Sequence, residues 1–205
     1  MDLKQSRKIA QRCINSVKNH KVEMFEAITP KDNPLRELEL KGIPIEGFNE
    51  IYSKLENCVS AFLSHHTLWE MCVADNEEYM IFEHDAVAVD TIPEFISYDK
   101  MISLGRPSYG KSLIPEKLGV NPLTSKPYFP GAHAYRLKPS AAKILIDTAK
   151  KEAMPTDVYL NRSRFPFLQE YYPWPVEAKD SFTTIQKEKG CLAKHNYREG
   201  YEILT

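Results

Sequence analysis

One stretch decides the fold of this chain: Tyr79-Met80-Ile81-Phe82-Glu83-His84-Asp85-Ala86-Val87-Ala88-Val89-Asp90. It opens with a short apolar run bounded by the polar segment 75–78, a pattern that predicts a buried strand of a mixed or parallel sheet. Glu83 and Asp85 stand at its carboxyl end, where open α/β sheets gather their ligands. Carboxylates at this spacing suit a hard divalent cation, Mg²⁺ or Mn²⁺, that also holds a phosphate. The alternative interpretation is a strand end with two solvated acids.

The residues before this strand predict helices and one further strand. Apolar residues at helical spacing follow Ser6, which can cap that helix, and Val22–Ile28 alternates like a strand. An α/β fold would place a strand before the first helix, and only the stub Asp2-Leu3 is available for it. We also predict a short helix over Leu35–Leu40 and a long amphipathic helix over Leu55–Val73.

The second half of the chain is rich in proline and predicts long loops between few regular elements. Residues 105–130 form a loop that is either functional or disordered, and its tyrosines and Phe129 argue against plain disorder. The remaining predicted elements are a short helix over Ile92–Ile96, strands over Met101–Leu104 and Gly131–Leu137, a helix over Ala141–Lys151, and a helix that Asp157 caps and that extends through Asn161.

Composition excludes several classes of protein. With 205 residues the chain forms one domain, and a net charge of −1 gives no electrostatic case for binding nucleic acid or an acidic membrane. The cysteines, Cys13, Cys58, Cys72 and Cys191, show no CxxC spacing and are expected to be free thiols in a reducing compartment. No apolar run reaches membrane-spanning length and no signal peptide opens the chain, so we expect a soluble, cytoplasmic protein.

The tail after Arg162 interleaves aromatic and charged residues. Pro173 and Pro175 exclude a regular helix there. Aromatic rings near basic residues can stack on sugars or on bases, and they can equally close the core as an apolar wrap.

Several groups of residues resemble, in the same order, the motifs of glycosyltransferase family 25, which includes lipooligosaccharide and collagen-galactosyl transferases. The resemblance covers most of residues 1–160. The groups are Leu3-x-x-Ser6-Arg7, Phe25-x-Ala27-Ile28, Ala61-Phe62-Leu63-Ser64-His65-x-x-Leu68-Trp69, Phe82-Glu83-His84-Asp85-Ala86, Gly131-Ala132-His133-Ala134-Tyr135 with the following Ser140-Ala141-Ala142-Lys143-x-Leu145, and Pro155-Thr156-Asp157.

The resemblance implies an α/β fold of the GT-A type, a nucleotide-sugar-binding mixed sheet flanked by helices. In this chain the first strand would be truncated and the C-terminal part rich in loops. We expect a single glycosyltransferase-like domain over 1–205, with a nucleotide-sugar-binding half at 1–104 and an acceptor half and tail at 105–205.

The same resemblance implies a metal-dependent transfer with inversion from a nucleotide sugar, expected to be a UDP-sugar, to a glycan hydroxyl. Asp85 would bind Mn²⁺ or Mg²⁺, and the bound ion would act as a Lewis acid for the departing diphosphate. Glu83 would bind the metal directly or through water, or hold the ribose. Asp157 would be the general base for the acceptor hydroxyl, and its structural alternative is a helix cap.

Four further residues are expected on the donor side of the site. Ser64 and His65 would line the donor pocket, although a histidine on a helix is more often a hydrogen-bonded structural residue. His133 would add a metal or phosphate contact, and Arg7 would reach the nucleotide at the end of the first strand.

Two departures from the family pattern keep other functions open. His84 replaces an acid in the Glu-x-Asp motif, and the first strand is nearly absent. The acceptor is expected to be a surface polysaccharide or lipooligosaccharide. A protein side chain or a hydroxymethylated DNA base is an alternative, with DNA disfavoured by the charge. A degenerate family member that binds sugars without turnover is the non-enzymatic hypothesis.

Overall fold

The structure, a computed structural model, describes residues 4–49 and 54–179. The strand stub at 2–3, Cys191 and the basic end of the tail lie outside these residues. The helices are α1 (Lys4–Ser16), α2 (Pro34–Leu40), α3 (Leu55–Asp75), α4 (Pro139–Ala149) and α5 (Thr156–Tyr159), and the strands are β1 (Tyr79–Phe82), β2 (Ala86–Ala88), β3 (Met101–Ser103), β4 (Gly119–Pro122), β5 (Ala134–Leu137), β6 (Leu168–Tyr172) and β7 (Val176–Ala178).

The main sheet is mixed. Its five strands lie in the order β1-β5-β3-β6-β4. Strand β5 is antiparallel to both β1 and β3, β3 is parallel to β6, and β4 is antiparallel to β6. Strands β1, β3 and β6 therefore all run in the same direction. The predicted α/β class, a mixed sheet flanked by helices and consistent with the GT-A type, is confirmed.

This topology brings the ends of several strands together at one edge of the sheet, which we call the carboxyl edge. The carboxyl ends of β1 and β3 meet the amino end of β5 there, so the Glu83 N–H donates to the His133 carbonyl over 2.9 Å and the Leu104 N–H donates to the Ala134 carbonyl over 3.0 Å. After β6 the chain passes through the cis Tyr172-Pro173 bond into β7, which pairs with β2 in a small second sheet. Glu83 thus follows the carboxyl end of β1 as predicted, and β2 and β7 border this edge of the sheet.

Two apolar clusters hold the helices against the sheet. In the larger one, α3 packs beside α4 and places Phe62 and Trp69 edge to face, with ring centroids 5.8 Å apart. Tyr159 of α5 stacks against Trp69. The smaller cluster contains Cys13 of α1 together with residues from β2, β5 and β7. Helix α3 is long because its apolar residues recur at helical spacing until Asn76, whose left-handed backbone (φ 53°) ends it.

Several local predictions were wrong. Ser6 does not cap the first helix, because α1 already begins at Lys4 and contains Ser6. Val22–Ile28 forms no strand, because its backbone is anchored by a side chain: the Ile28 N–H donates to Ser64 Oγ over 2.9 Å. Residues 92–96 form no helix, because the carbonyls of Pro93 and Glu94 accept hydrogen bonds from the buried Arg136 guanidinium.

A further error concerns the helix near Asp157. Helix α5 starts at Thr156 and has Pro155 as its N-cap, so Asp157 lies inside the first turn and is not the cap. The loop 105–130 is ordered as predicted from its aromatic residues, and it contains the unpredicted strand β4.

Candidate active site at the carboxyl edge of the sheet

Glu83 is the best-defined carboxylate of the sheet edge. It follows β1 directly, its side chain is 29% exposed, and its Oε1 lies 3.1 Å from His65 Nε2. The other ring nitrogen of His65, Nδ1, lies 2.7 Å from the Tyr135 hydroxyl. That hydroxyl also accepts a hydrogen bond from the Trp69 indole N–H over 3.0 Å. A buried row of hydrogen bonds therefore ends on Glu83.

The order of the protons along this row follows from the chemistry of its members. Burial raises the pKa of Tyr135 well above its ordinary value, so the side chain stays a phenol. The Trp69 indole can only donate, so every member of the row has a partner when the Tyr135 hydroxyl donates its proton to His65 Nδ1. In that arrangement the imidazole proton is on Nε2 and is donated to the Glu83 carboxylate.

The local folding of three elements explains how these residues meet. His65 and Trp69 are four residues apart on α3 and therefore share one face. Tyr135 lies on β5 opposite Ile81 of β1, so its ring sits two residues from Glu83 in the sheet register. The rings of His65 and Tyr135 are nearly parallel, with an interplanar angle of 22°.

His133 occupies the centre of the same edge. It is 2% exposed, and its ring lies against two glycines: a Cβ on Gly105 would stand 2.5 Å from its Nε2, and one on Gly131 would stand 3.1 Å from its Nδ1. Burial lowers the pKa of His133, while the charges of Glu83 and Glu177 oppose this shift. The imidazole is therefore neutral near pH 7, and the glycines provide the space that it fills.

Asp85 lies in the turn between β1 and β2, half-buried, and its backbone carbonyl accepts the Lys179 N–H over 3.1 Å. Burial, together with the Asp85 charge, raises the pKa of Cys13 on α1 to about 12. Asp85 is therefore within electrostatic reach of α1, whereas Glu83 is bonded from α3.

The carboxylates of Glu83 and Asp85 offer oxygen donors to a divalent metal. Within residues 4–49 and 54–179 no group of three or more His, Cys, Asp or Glu side chains could enclose an ion. Mg²⁺ is commonly held by one or two carboxylates, with water and substrate phosphates completing its coordination. Glu83 and Asp85 are both half-buried and carry the oxygen donors that an open site of this kind uses.

Asp157 is positioned by the long loop. Its Oδ2 accepts the Tyr109 O–H over 2.6 Å and its Oδ1 accepts the Val158 N–H over 2.9 Å. Burial and the Asp157 charge raise the pKa of Tyr109, so Tyr109 remains a hydrogen-bond donor. The neighbouring Ser108 hydroxyl donates to the Pro130 carbonyl over 3.1 Å and lies against Gly131. Loop residues 108–109 thus link Asp157 to the sheet edge that holds His133.

The structure places the other two expected donor-side residues differently. The Ser64 hydroxyl donates to the Ser60 carbonyl over 2.8 Å and accepts from Ile28, so it anchors the segment before α2. Arg7 is exposed on α1, where its guanidinium lies 4.0 Å from Glu26. Glu83, His65 and His133 are brought together, whereas Ser64 and Arg7 point to other partners.

Three residues at the site had no predicted role. Trp69 and Tyr135 were recognised as motif residues, but hydrogen bonds between a helix and a strand leave no local trace in the sequence. Tyr109 belongs to the aromatic residues of the loop 105–130, and only that enrichment indicated that the loop is ordered.

Comparison with known proteins identifies a family. The family model described as Glycosyltransferase family 25 (LPS biosynthesis protein) matches residues 1–105. No curated protein sequence matches the chain. The matched segment contains His65, Glu83 and Asp85, and Asp157 lies beyond it. Among the described residues, no helix is both long and apolar enough to span a bilayer.

Proposed function

Because the chain belongs to glycosyltransferase family 25, an LPS-biosynthesis family whose members act on a sugar donor and an acceptor, we propose that it transfers a hexose with inversion. The donor is a nucleotide sugar, in the first instance a UDP-sugar, and the acceptor is a glycan hydroxyl. The observation that most supports this proposal is the position of the Glu83 carboxylate. His65 holds it at the edge where the ends of the sheet strands converge.

The donor side of the proposed site is built around Glu83 and Asp85. These two carboxylates would hold Mn²⁺ or Mg²⁺ together with the donor diphosphate. When bound, the ion supplies positive charge that stabilises the diphosphate as it leaves. His65 keeps Glu83 in one orientation, so less ordering is required when the donor arrives. The neutral ring of His133 lies at the same edge, and it would have to turn to contact a phosphate oxygen because both of its nitrogens are buried.

Two other residues complete the proposed donor side indirectly. Ser64 fixes the backbone of Ile28 beside α3 and would thereby shape the donor side of the site. Arg7, exposed near Glu26, supplies a positive charge that a nucleotide phosphate can reach from solvent. Both assignments remain part of the proposal.

Asp157 is the proposed general base. During transfer the acceptor oxygen forms a bond to the anomeric carbon, the bond from that carbon to the diphosphate oxygen breaks, and the acceptor proton moves to an Asp157 oxygen. The Tyr109 O–H holds Oδ2 in place and stabilises the carboxylate before the proton arrives. A carboxylate has about four lone-pair sites, so it can accept an acceptor hydroxyl besides the Tyr109 and Val158 donors.

The first experiment is donor hydrolysis and thermal shift across a panel of nucleotide sugars, with and without Mn²⁺. We expect one donor to give a metal-dependent stabilisation and slow hydrolysis, both lost in Asp85→Asn and Glu83→Gln. The matched control is Asp147→Asn, which removes an exposed carboxylate of α4 that pairs with Lys143. A folded protein that responds to no donor with or without metal contradicts the proposal.

A second variant separates catalysis from binding without turnover. Asp157→Asn is expected to keep the metal-dependent donor stabilisation and to lower the transfer rate by about 10²–10⁴-fold, the usual contribution of a general base. If wild type binds the donor and transfers nothing to any glycan, protein or DNA acceptor, the chain is a sugar-binding member of its family.

A further inference from the structure

A lysine lies between two tyrosine rings beside the proposed base. The Lys126 ammonium is 5.4 Å from the centroid of the Tyr109 ring and 5.8 Å from that of the Tyr128 ring. The two rings are 6.2 Å apart and tilted by 36°. Both distances are within the range of cation–π attraction, so the rings hold the ammonium in place.

Among the residues that the structure describes, no carboxylate neutralises the Lys126 ammonium. Within the described residues Lys126 has no hydrogen-bond acceptor and no ion-pair partner, and burial alone lowers its pKa. The other lysines on aromatic rings differ: Lys138 donates to the Tyr98 carbonyl over 2.7 Å, and Lys100 lies 4.0 Å from Asp99. A half-buried cation without a counter-ion is costly unless a ligand provides the negative charge.

The loop leaves space for this arrangement. Gly110 has a left-handed backbone (φ +65°), and a Cβ placed on it would stand 2.8 Å from the Lys126 ammonium. A side chain at position 110 would therefore both strain the backbone and displace the cation. Glycine at position 110 therefore leaves the space that the Lys126 ammonium occupies.

The cation is coupled to the site by Tyr109. The ring that faces Lys126 carries the hydroxyl that donates to Asp157 over 2.6 Å. A molecule whose hydroxyl approaches Asp157 would therefore bring its neighbouring substituents toward Lys126 and the two rings.

We propose that Lys126, Tyr109 and Tyr128 form an acceptor subsite that binds an anionic group, a carboxylate or a phosphate, on the acceptor sugar. This inference rests on the proposed function, because it takes Asp157 as the base that the acceptor approaches. The tyrosine rings supply flat apolar surface for a sugar ring, and the ammonium selects the charged substituent. An acidic sugar or a sugar phosphate is thereby preferred over a neutral sugar.

The test measures binding by titration calorimetry of the full chain with glucuronate, glucose 6-phosphate, methyl glucoside and UDP with Mn²⁺. We expect at least one of the two anionic sugars to bind about tenfold more tightly than methyl glucoside, corresponding to about 1.4 kcal/mol. Lys126→Met should remove this preference, and Lys126→Arg should keep most of it. The glucuronate and phosphate arms identify which anion the subsite takes.

A matched control is Lys100→Met. Lys100 also lies over an aromatic ring, 5.5 Å from the Phe167 centroid, but it precedes β3 and so stands at the opposite edge of the sheet. This variant should bind all four probes as wild type does. Thermal unfolding of each variant verifies that Lys126→Met is folded, and Lys126→Arg retains the charge in case it is not.

Three results would overturn the proposal. The first is a wild type that binds neither anionic sugar more tightly than methyl glucoside. The second is an equal loss of affinity for neutral and anionic sugars in Lys126→Met. The third is a Lys126→Met variant that loses affinity for UDP and keeps its sugar binding, which would assign the lysine to the donor diphosphate. Failure of the proposed function looks different, since the nucleotide-sugar panel would then be silent while Lys126-dependent binding of an acidic sugar persisted.

Discussion

The Nε2 atom of His65 lies 3.1 Å from Oε1 of Glu83, and this contact ends a row of hydrogen bonds that begins at the buried indole of Trp69. We infer from this row that the proton of His65 is on Nε2, where it is donated to Glu83. The row thereby holds the carboxylate that directly follows β1 in one orientation. We infer that Trp69, Tyr135 and His65 are positioning residues for Glu83 and do not themselves contact the reacting atoms.

Replacing Tyr135 with Phe tests this relationship. The change removes the proton that reaches His65 Nδ1 and leaves the Trp69 N–H without its acceptor. We expect the free energy of unfolding to fall by about 1–3 kcal/mol, the cost of unsatisfied buried polar groups. The ¹⁵N shifts of His65 should show a mixture of tautomers, and Mn²⁺ with the donor should bind more weakly.

Tyr159→Phe is the matched control for that variant. Tyr159 is also fully buried, and its hydroxyl donates to the Leu145 carbonyl over 2.5 Å, away from His65. It should lose a similar amount of stability, while the His65 shifts and donor binding stay as in wild type. If both variants reduce donor binding equally, the row has only a structural role.

The steric requirement at Gly105 gives a second prediction. A Cβ at this position would stand 2.5 Å from His133 Nε2, and the buried ring has little room to move. Gly105→Ala should therefore lower the free energy of unfolding by about 1–3 kcal/mol through overpacking. Denaturant titration measures this loss.

A double variant distinguishes the steric cause from a backbone cause. In His133→Ala the ring is absent, so adding Gly105→Ala to it should cost much less than it does in wild type, which is a non-additive result. Equal costs in the two backgrounds would show that His133 is not the neighbour that excludes a side chain at position 105.

Local periodicity predicted the elements that depend on local sequence. Helix α3 was predicted over Leu55–Val73 and runs over Leu55–Asp75, and β1 and β3 were placed within a residue of their observed ends. The carboxyl-edge position of Glu83 also followed from the pattern of a single strand. These features are encoded by side chains that are close together in the sequence.

Features that depend on distant partners were not predictable in the same way. Strand β3 pairs in parallel with β6, whose residues lie more than sixty positions away, and the aromatic, proline-rich tail gave no sign of that register. Ser64 and His65 were predicted to share the donor pocket. Adjacent residues of a helix point in directions about 100° apart, and Ser64 accordingly bonds Ile28 whereas His65 bonds Glu83.

The buried carboxylate of Glu170 on β6 gives a third prediction. It is 1% exposed, and its Oε1 accepts the N–H groups of Thr124 and Ser125, each over 2.7 Å, while its Oε2 accepts the Trp174 indole N–H over 3.2 Å. Glu170→Gln would turn an NH₂ group toward one of these donors. We expect the free energy of unfolding to fall by about 1.5–3 kcal/mol, measured by denaturant titration.

The comparison variant is Glu152→Gln. Glu152 also accepts hydrogen bonds from a partner, Arg164, but its side chain is 50% exposed. Its loss should cost at most about 1 kcal/mol because solvent screens the pair. If Glu170→Gln costs no more than Glu152→Gln, the carboxylate does not secure residues 124–125 of the loop.

The pH dependence of stability gives the last prediction, through His66 on α3. This side chain is 2% exposed, and burial lowers its pKa from 6.5 to about 4, with Glu70 raising it and Lys41 and Lys150 lowering it. Between these two values the unfolded chain binds a proton that the folded protein does not. The free energy of unfolding should therefore decrease, by on the order of 2 kcal/mol, as the pH falls from 7 toward 4.

Urea titrations at several pH values measure this slope, and two variants assign it to His66. His66→Leu should make the slope shallower, with a remainder from His133, whose pKa burial also lowers. Glu70→Gln should extend the decrease in the free energy of unfolding to lower pH, because the Glu70 charge raises the pKa of His66 against the effect of burial. An unchanged slope in His66→Leu would mean that the imidazole is protonated in the folded protein and that a charge is accommodated beside Phe62 and Trp69.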